Sequence, residues 1–278
     1  MAIQQPILAI QRLTKHYGGV KALTHADFNL QPGEHAAIVG DNGAGKSTFV
    51  RLITGVEQPN EGQILLDGKP VSFKSPLDAR DQGIETVYQT LALAEDLDVP
   101  ANIFLGREIT RFNLGPLSVL DHAAMRAQSS SMLATTGVKI QDMSESLRGM
   151  SGGQRQCVAI ARAAGFAQKI IILDEPTAAL GVAETARVEL IIQGLKERGV
   201  PLILISHNLR QVFDLVDRIW VFRQGRIICN VLRKASNPQE IVGLITGAIE
   251  PQTLAHANLP GASSNPLAAR VAQPLETV

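Results

Sequence analysis

Two kinds of apolar pattern run along this chain. Stretches at 7–13 and 22–30, separated by Lys15-His16-Tyr17-Gly18-Gly19, predict a strand pair joined by a turn, with Tyr17 at that turn. The pattern recurs at 62–73, where Asp67-Gly68 marks a hairpin between Gln63-Ile64-Leu65-Leu66 and Pro70-Val71-Ser72-Phe73. Together these pairs predict a small antiparallel sheet. Residues 169–173, Lys-Ile-Ile-Ile-Leu, are different in kind: an unbroken apolar run suits a parallel strand buried on both faces. Val188, Ile191, Ile192 and Leu195 then recur at i, i+3, i+4 and i+7, one face of a helix that Gly199 stops, and a strand at 201–205 follows. Strand, helix and strand in that order imply a right-handed parallel crossover, and the same logic adds the apolar strand beside the glycine-rich stretch 40–48 to that sheet.

Other segments fill in around this core. Ser75-Pro76 predicts a helix start and Gly83 its end, followed by a strand at 84–88 that terminates in Gln89. From about 90 to 165 the β-branched runs thin out. Helical segments near 100–106, 121–136 and 151–166, separated by Gly and Pro, predict a helical subdomain. A last hairpin, 218–222 and 226–231 around Gln224-Gly225, precedes a short helix near 238–247. Beyond 250 the chain is rich in Ala, Asn and Pro, shows no periodicity, and reads as a largely disordered tail, 250–278. The fold class is α/β: a parallel-sheet core with a flanking antiparallel β subdomain, all within 1–249, and the helical subdomain inserted at about 90–165.

Composition narrows the function classes. The 278 residues, 45% of them apolar, suit one large domain with a buried core. Lys plus Arg and Asp plus Glu both total 26, so no positive surplus points to nucleic acid or an anionic membrane surface. Cys157 and Cys229 lack metal-ligand spacing and read as free thiols in a reducing cytoplasm. The first ten residues carry no basic leader, and no run of about 18 apolar residues occurs, so neither export by that route nor a membrane span is expected.

The chemistry begins at Gly40-Asp41-Asn42-Gly43-Ala44-Gly45-Lys46-Ser47-Thr48, which fits G-x-x-x-x-G-K-[ST] between a short apolar strand and a helix. Glycines let several N–H groups point into one concavity, and the helix adds its positive end, so a polyphosphate is expected there. Asp174 closes the run 169–173, where a carboxylate emerges at the C-terminal edge of a parallel sheet, the edge at which ligands bind. With the Ser47 hydroxyl it can hold a Mg²⁺ that bridges phosphates. Glu175, one residue further, can accept a proton from an attacking water.

Met150-Ser151-Gly152-Gly153-Gln154-Arg155-Gln156 resembles the signature sequence of ATP-binding cassette (ABC) ATPases, a family of P-loop NTPases, with Met150 where the family usually has Leu. Ser151 can cap the helix that follows, and Gly152 and Gly153 permit close backbone approach, giving a second anion site. The resemblance runs from about residue 7 to 247 with every expected element in order. It implies ATP and Mg²⁺ as ligands and a head-to-tail homodimer in which Ser151, Gly152, Gly153 and Gln154 face the nucleotide of the other subunit. It also implies that Tyr17 stacks on adenine, Lys46 neutralises the β- and γ-phosphates, Thr48 touches the α-phosphate, Gln89 contacts Mg²⁺ or the attacking water, and His207 contacts the γ-phosphate and orients Glu175.

One departure stands out. After Glu175-Pro176-Thr177 the family usually has Ser-Ala-Leu-Asp, whereas this chain has Ala178-Ala179-Leu180-Gly181. The missing aspartate bears on communication between the two nucleotide sites; similar loops occur among single-domain monosaccharide importers, which this chain also resembles in 87–108 and in Leu204-Ile205-Ser206-His207-Asn208. That resemblance implies a single-cassette ATPase of the fructose type, its helical segment docked on a membrane permease at the cytoplasmic face. An external sugar-binding protein completes the system, and the sugar itself is not encoded here. A soluble ABC ATPase acting on ribosomes or DNA is the rival class, and such chains usually carry two cassettes, coiled-coil insertions or basic arms. An importer ATPase for another small solute, and a scaffold that binds ATP without turnover, are the remaining alternatives.

Overall fold

The alternating segments at the start of the chain form β1 (Leu8–Tyr17) and β2 (Val20–Leu30), antiparallel and turning at Gly18-Gly19, in a computed structural model that describes residues 5–112, 118–138 and 140–259. β3 (His35–Gly40) leads through the glycine-rich loop into α1 (Lys46–Ile53). β4 (Glu61–Leu66) and β5 (Lys69–Val71) form the expected hairpin, with Asp67 and Gly68 both at positive φ as the tight turn requires. The two hairpins join into the expected small antiparallel sheet through a pairing of β1 with β4, in the order β2-β1-β4-β5.

α2 (Pro76–Asp81) starts at Ser75, whose hydroxyl caps it, and β6 (Ile84–Val87) follows. The helical subdomain holds α3 (Val99–Phe104), α4 (His122–Thr135) and α5 (Gly152–Phe166), and also a two-stranded sheet of β7 (Thr110–Phe112) and β8 (Val119–Leu120) that the apolar pattern did not announce. β9 (Ile170–Asp174), α6 (Val182–Glu197) and β10 (Leu202–Ile205) make the parallel crossover. A helix not foreseen, α7 (Leu209–Leu215), precedes the hairpin β11 (Arg218–Arg223) and β12 (Arg226–Leu232), and α8 (Pro238–Thr246) comes last.

The main sheet has the order β12-β11-β3-β10-β9-β6, parallel except for the β11–β12 pair. β9 and β10 are buried on both faces, which is why they read as unbroken apolar runs. Ile170, Ile172, Ile203 and Ile205 pack with α1 and the antiparallel sheet, while Ile171, Leu173, Leu202 and Leu204 pack with α6, α7 and α8. Phe49 of α1 lies between Phe28 and Phe222, each with ring centroids 5.4 Å away, so the antiparallel sheet, α1 and the main sheet are pinned together. Burying each such ring is worth about 1.5–3 kcal/mol, and it fixes the direction in which α1 leaves the loop.

Two further points concern stability. Residues 250–259, assigned to the tail from composition, instead form a short turn at Pro251–Thr253 and pair with β12 through Asn258 and Asn230. Pro251 is buried, so this decapeptide is part of the domain, and 260–278 lie outside the described residues. His35, fully buried in β3, has its pKa pushed down to about 4, first by burial and then by Lys196. The unfolded chain therefore takes up that proton first as pH falls, and the stability this neutral ring supports above the unfolded value is lost on acidification. Stability should drop by roughly 2 kcal/mol from this group between about pH 7 and pH 5, and His35→Gln should flatten that segment of a denaturation-midpoint profile.

Candidate active site

Four neighbouring parallel strands, β3, β10, β9 and β6, end at one edge of the main sheet. Past β3 comes the glycine-rich loop, past β10 comes Ser206-His207, β9 ends in Asp174 with Glu175 next, and Gln89 lies just past β6. Residues from 40 to 207 are thus gathered by topology alone, at the edge where open parallel sheets bind ligands.

The loop needs its glycines for reasons visible in the packing. At Gly40, φ is 153 and an added Cβ would lie 2.4 Å from the Phe222 carbonyl oxygen; at Gly45, φ is 101 and a Cβ would lie 2.8 Å from that of Ala22. Gly40→Ala should accordingly cost roughly 2–4 kcal/mol, read as a lowered denaturation midpoint. Among the eight described α-helices, six are capped by their own side chains: Ser75, Asp98, Asp121, Ser151, Asn208 and Asn237. α1 is not. Gly45 occupies its cap position, and no acidic residue lies in its first turn, so the leading N–H groups are left for an external anion. Lys46 Nζ donates to the carbonyls of Gly40 at 2.6 Å and Asp41 at 2.9 Å, which holds the cation across the loop. Burial lowers its pKa, while Glu175, Asp41 and Asp174 pull it back.

The carboxylates differ in environment. Asp174 has its pKa raised, first by burial and then by Glu175, with Lys46 and Arg51 opposing. A carboxylate poised this way gains from a cation placed beside it, and one carboxylate with the Ser47 hydroxyl suits a Mg²⁺ whose other ligands are phosphate oxygens and water. Glu175 takes the left-handed region, φ 49, and its N–H is held by the Ile205 carbonyl at 2.9 Å. Its Oε2 lies 2.8 Å from His207 Nδ1, with His207 74% exposed and Glu175 15% exposed. An imidazole at that distance orients the carboxylate while keeping its own other edge open.

Gln89 is exposed, with no side-chain partner among the described residues. The turn after it is strained: Leu91 and Ala92 have φ of 52 and 47, and Arg162 of α5 donates to both of their carbonyls at 3.2 Å. Tyr17 stands beside α1, its hydroxyl bonded to Glu57 and its ring 5.4 Å from Lys15 Nζ. Burial and Glu57 raise its pKa, while the Thr48 hydroxyl works against them, which places the phenol next to the first turn of α1.

Ser151, Gly152, Gly153 and Gln154 stand apart from this group. They form a complete capping box at the start of α5, Ser151 Oγ accepting from the Gln154 N–H at 3.2 Å and Gln154 Oε1 from the Ser151 N–H at 2.8 Å. Ser151 and Gln154 are exposed. Glu184, which no motif announces, is the side-chain partner of Ser151 across the chain. Gln211, equally unannounced and fully buried on α7, accepts at Oε1 from Ser206 Oγ at 3.0 Å and Thr177 Oγ1 at 3.3 Å. Gln211 thereby ties the segment after Glu175 to the segment before His207. The signal available for it was Asn208, a cap residue ahead of an apolar i, i+3, i+4 pattern at Leu209, Val212 and Phe213.

Comparison with known proteins agrees with this fold. The ABC transporter family profile matches residues 23–178. The chain is similar to the fructose import ATP-binding protein FrcA of Rhizobium meliloti, 49% identical over 251 residues that cover 89% of this chain and 96% of that protein. It is similar to the xylose/arabinose import ATP-binding protein XylG of Sulfolobus acidocaldarius, 41% identical over 240 residues, 86% of this chain and 94% of that protein. Among solved structures, cbiO1 of Clostridium perfringens, part of the cbiONQ transporter complex, superposes with a TM-score of 0.72 at 27% identity, covering 90% of this chain and 98% of that one. The fold is shared with the dimeric ATP-binding cassette MJ0796 bound to ADP and Pi, TM-score 0.68 at 23% identity over 81% of this chain and 98% of that one. The strand-edge arrangement and these matches lead to one statement: the chain belongs to the ABC transporter family, as an ATP-binding protein.

Proposed function

We propose that this chain is the ATP-hydrolysing subunit of an importer, energising uptake of a monosaccharide through a membrane permease. The observation that carries the reading is the convergence of the uncapped α1 terminus, Lys46, Asp174, Glu175 and His207 at one sheet edge, supported by similarity to the fructose and xylose/arabinose import proteins. In it, residues 40–48 cradle the phosphates of ATP, Lys46 neutralises the β- and γ-phosphates and Thr48 reaches the α-phosphate. Tyr17 offers its ring to the adenine. Ser47, Asp174 and Gln89 hold Mg²⁺, which when bound neutralises phosphate charge. Glu175 takes the proton of the water that attacks the γ-phosphate, and His207 orients Glu175 and contacts that phosphate.

Ser151, Gly152, Gly153 and Gln154 serve the nucleotide held by a second copy, so two chains enclose two ATP molecules. The chain through residue 259 acts as the nucleotide-binding domain, with the helical subdomain docking on the permease and an external sugar-binding protein delivering the solute. The chain sits peripherally at the cytoplasmic face through that permease; among the described residues no helix is long and apolar enough to cross a membrane. Steady-state phosphate release in permease-containing membranes tests the reading. Mg²⁺-dependent turnover is expected, and none with Glu175 intact would overturn it in favour of a scaffold that binds ATP without hydrolysis.

A further inference from the structure

Glu184, in the first turn of α6, reaches across to the start of α5. Its Oε1 accepts from Ser151 Oγ at 3.0 Å and its Oε2 from the Gly181 N–H at 3.2 Å. Those contacts hold its pKa below the usual glutamate range, Gly181 first and Ser151 next, with the Gly153 N–H and Arg187 acting in the same direction. Its methylenes cover Gly153: a Cβ built there would fall 2.6 Å from Glu184 Cγ and 2.8 Å from its Cβ. That glycine is therefore demanded by a contact inside the chain, whatever else it serves.

A serine hydroxyl has one proton to give. In this chain Ser151 gives it to Glu184 and uses its oxygen to accept the Gln154 N–H. A phosphate arriving at the start of α5 meets a hydroxyl already committed and a carboxylate of like charge. The arrangement also links two segments that matter. Gly181 ends the loop that begins at Glu175, so Glu184 ties that loop to the signature residues from three positions beyond the glycine that replaces the family's usual aspartate.

We propose that Glu184 is a positioning residue of the second anion site, an internal anion that holds Ser151 and must release it before the partner subunit's nucleotide is engaged. The inference rests on the reading that Ser151 to Gln154 face a nucleotide bound by a second copy. Release of Ser151 then accompanies closure of the dimer, and the same movement frees the Gly181 N–H at the end of the Glu175 loop. Arg187, three residues on along α6, can take the released carboxylate.

The test uses the full chain carrying Glu175→Gln, titrated with Mg-ATP, with dimer formation followed by sedimentation velocity. Adding Glu184→Gln keeps the length and the acceptor but removes the charge. Half-maximal dimerisation should then need about five- to tenfold less ATP, as expected for removing one like charge beside a phosphate near the surface. Glu184→Ala, checked for folding by its melting curve, should shift the requirement in the same direction. With Ser151→Ala also present, Glu184→Gln should bring a smaller gain than it brings alone, because the hydroxyl that the carboxylate holds is gone and only the like charge remains to be removed. A side chain that only braced α5 against α6 would give weaker dimers when replaced, so an unchanged or higher ATP requirement in both Glu184 variants overturns the proposal. If the Glu175→Gln parent forms no dimer at any ATP concentration, the two-copy reading itself fails and the role of Glu184 falls with it.

Discussion

Replacing Glu175 by Gln is expected to lower ATP turnover on the order of 10²-fold or more while leaving nucleotide binding in place. The backbone of Glu175 is fixed by its left-handed φ and by its N–H bonding the Ile205 carbonyl, and the carboxylate is oriented by His207, with Oε2 2.8 Å from Nδ1. Gln preserves the volume and an oxygen for His207, so the local geometry survives. It cannot take a proton from water, which isolates the base function from the structural one. Steady-state phosphate release beside equilibrium binding of ATP reads the two separately, and near-normal hydrolysis would refute the role assigned to Glu175.

Lys46→Ala acts one step earlier. Its ammonium lies across the loop against the carbonyls of Gly40 and Asp41, half-buried, with burial lowering its pKa and Glu175, Asp41 and Asp174 restoring part of it. A polyphosphate beside it adds negative charge and favours the protonated form further. Charge-assisted hydrogen bonds of this kind contribute about 1.5–3 kcal/mol, so the variant should bind ATP roughly 10- to 100-fold more weakly. Calorimetric titration measures this directly. Unchanged affinity would count against the assignment of residues 40–48 as the phosphate cradle.

The parts of this fold that were legible in the sequence are those where one local rule dominates. Ile170 to Leu173 reads as a strand buried on both faces and forms one, and Asp67-Gly68 reads as a tight hairpin turn, which its positive φ values bear out. What stayed hidden was decided between distant segments. Nothing in either hairpin specifies that β1 pairs with β4, because the register is set by which faces of both strands meet α1 and the main sheet. The three- and two-residue strands β7 and β8 are too short to show a period, and the order of residues 250–259 depends on Asn258 finding Asn230 on β12. Composition alone does not reveal such a pairing.

The site divides in the same way. The glycine-rich loop and Asp174-Glu175 were visible as residue types at strand ends, His207 only through the family resemblance, and the strand order then explains why they meet. Gln211 and Glu184 were not visible, since each acts through a partner far off in sequence: Gln211 on Thr177, 34 residues away, and Glu184 on Ser151, 33 residues away. In sequence, Gly181 in place of the family's usual aspartate leaves this loop one carboxylate short. In the folded chain a carboxylate is present there after all, brought in by the first turn of α6.

Affinity purification of the chain from native membranes separates an importer subunit from a soluble ATPase. A polytopic sugar permease should co-purify, and ATP turnover should respond to it. Ribosomal proteins in its place, with no permease retained, would exclude the importer.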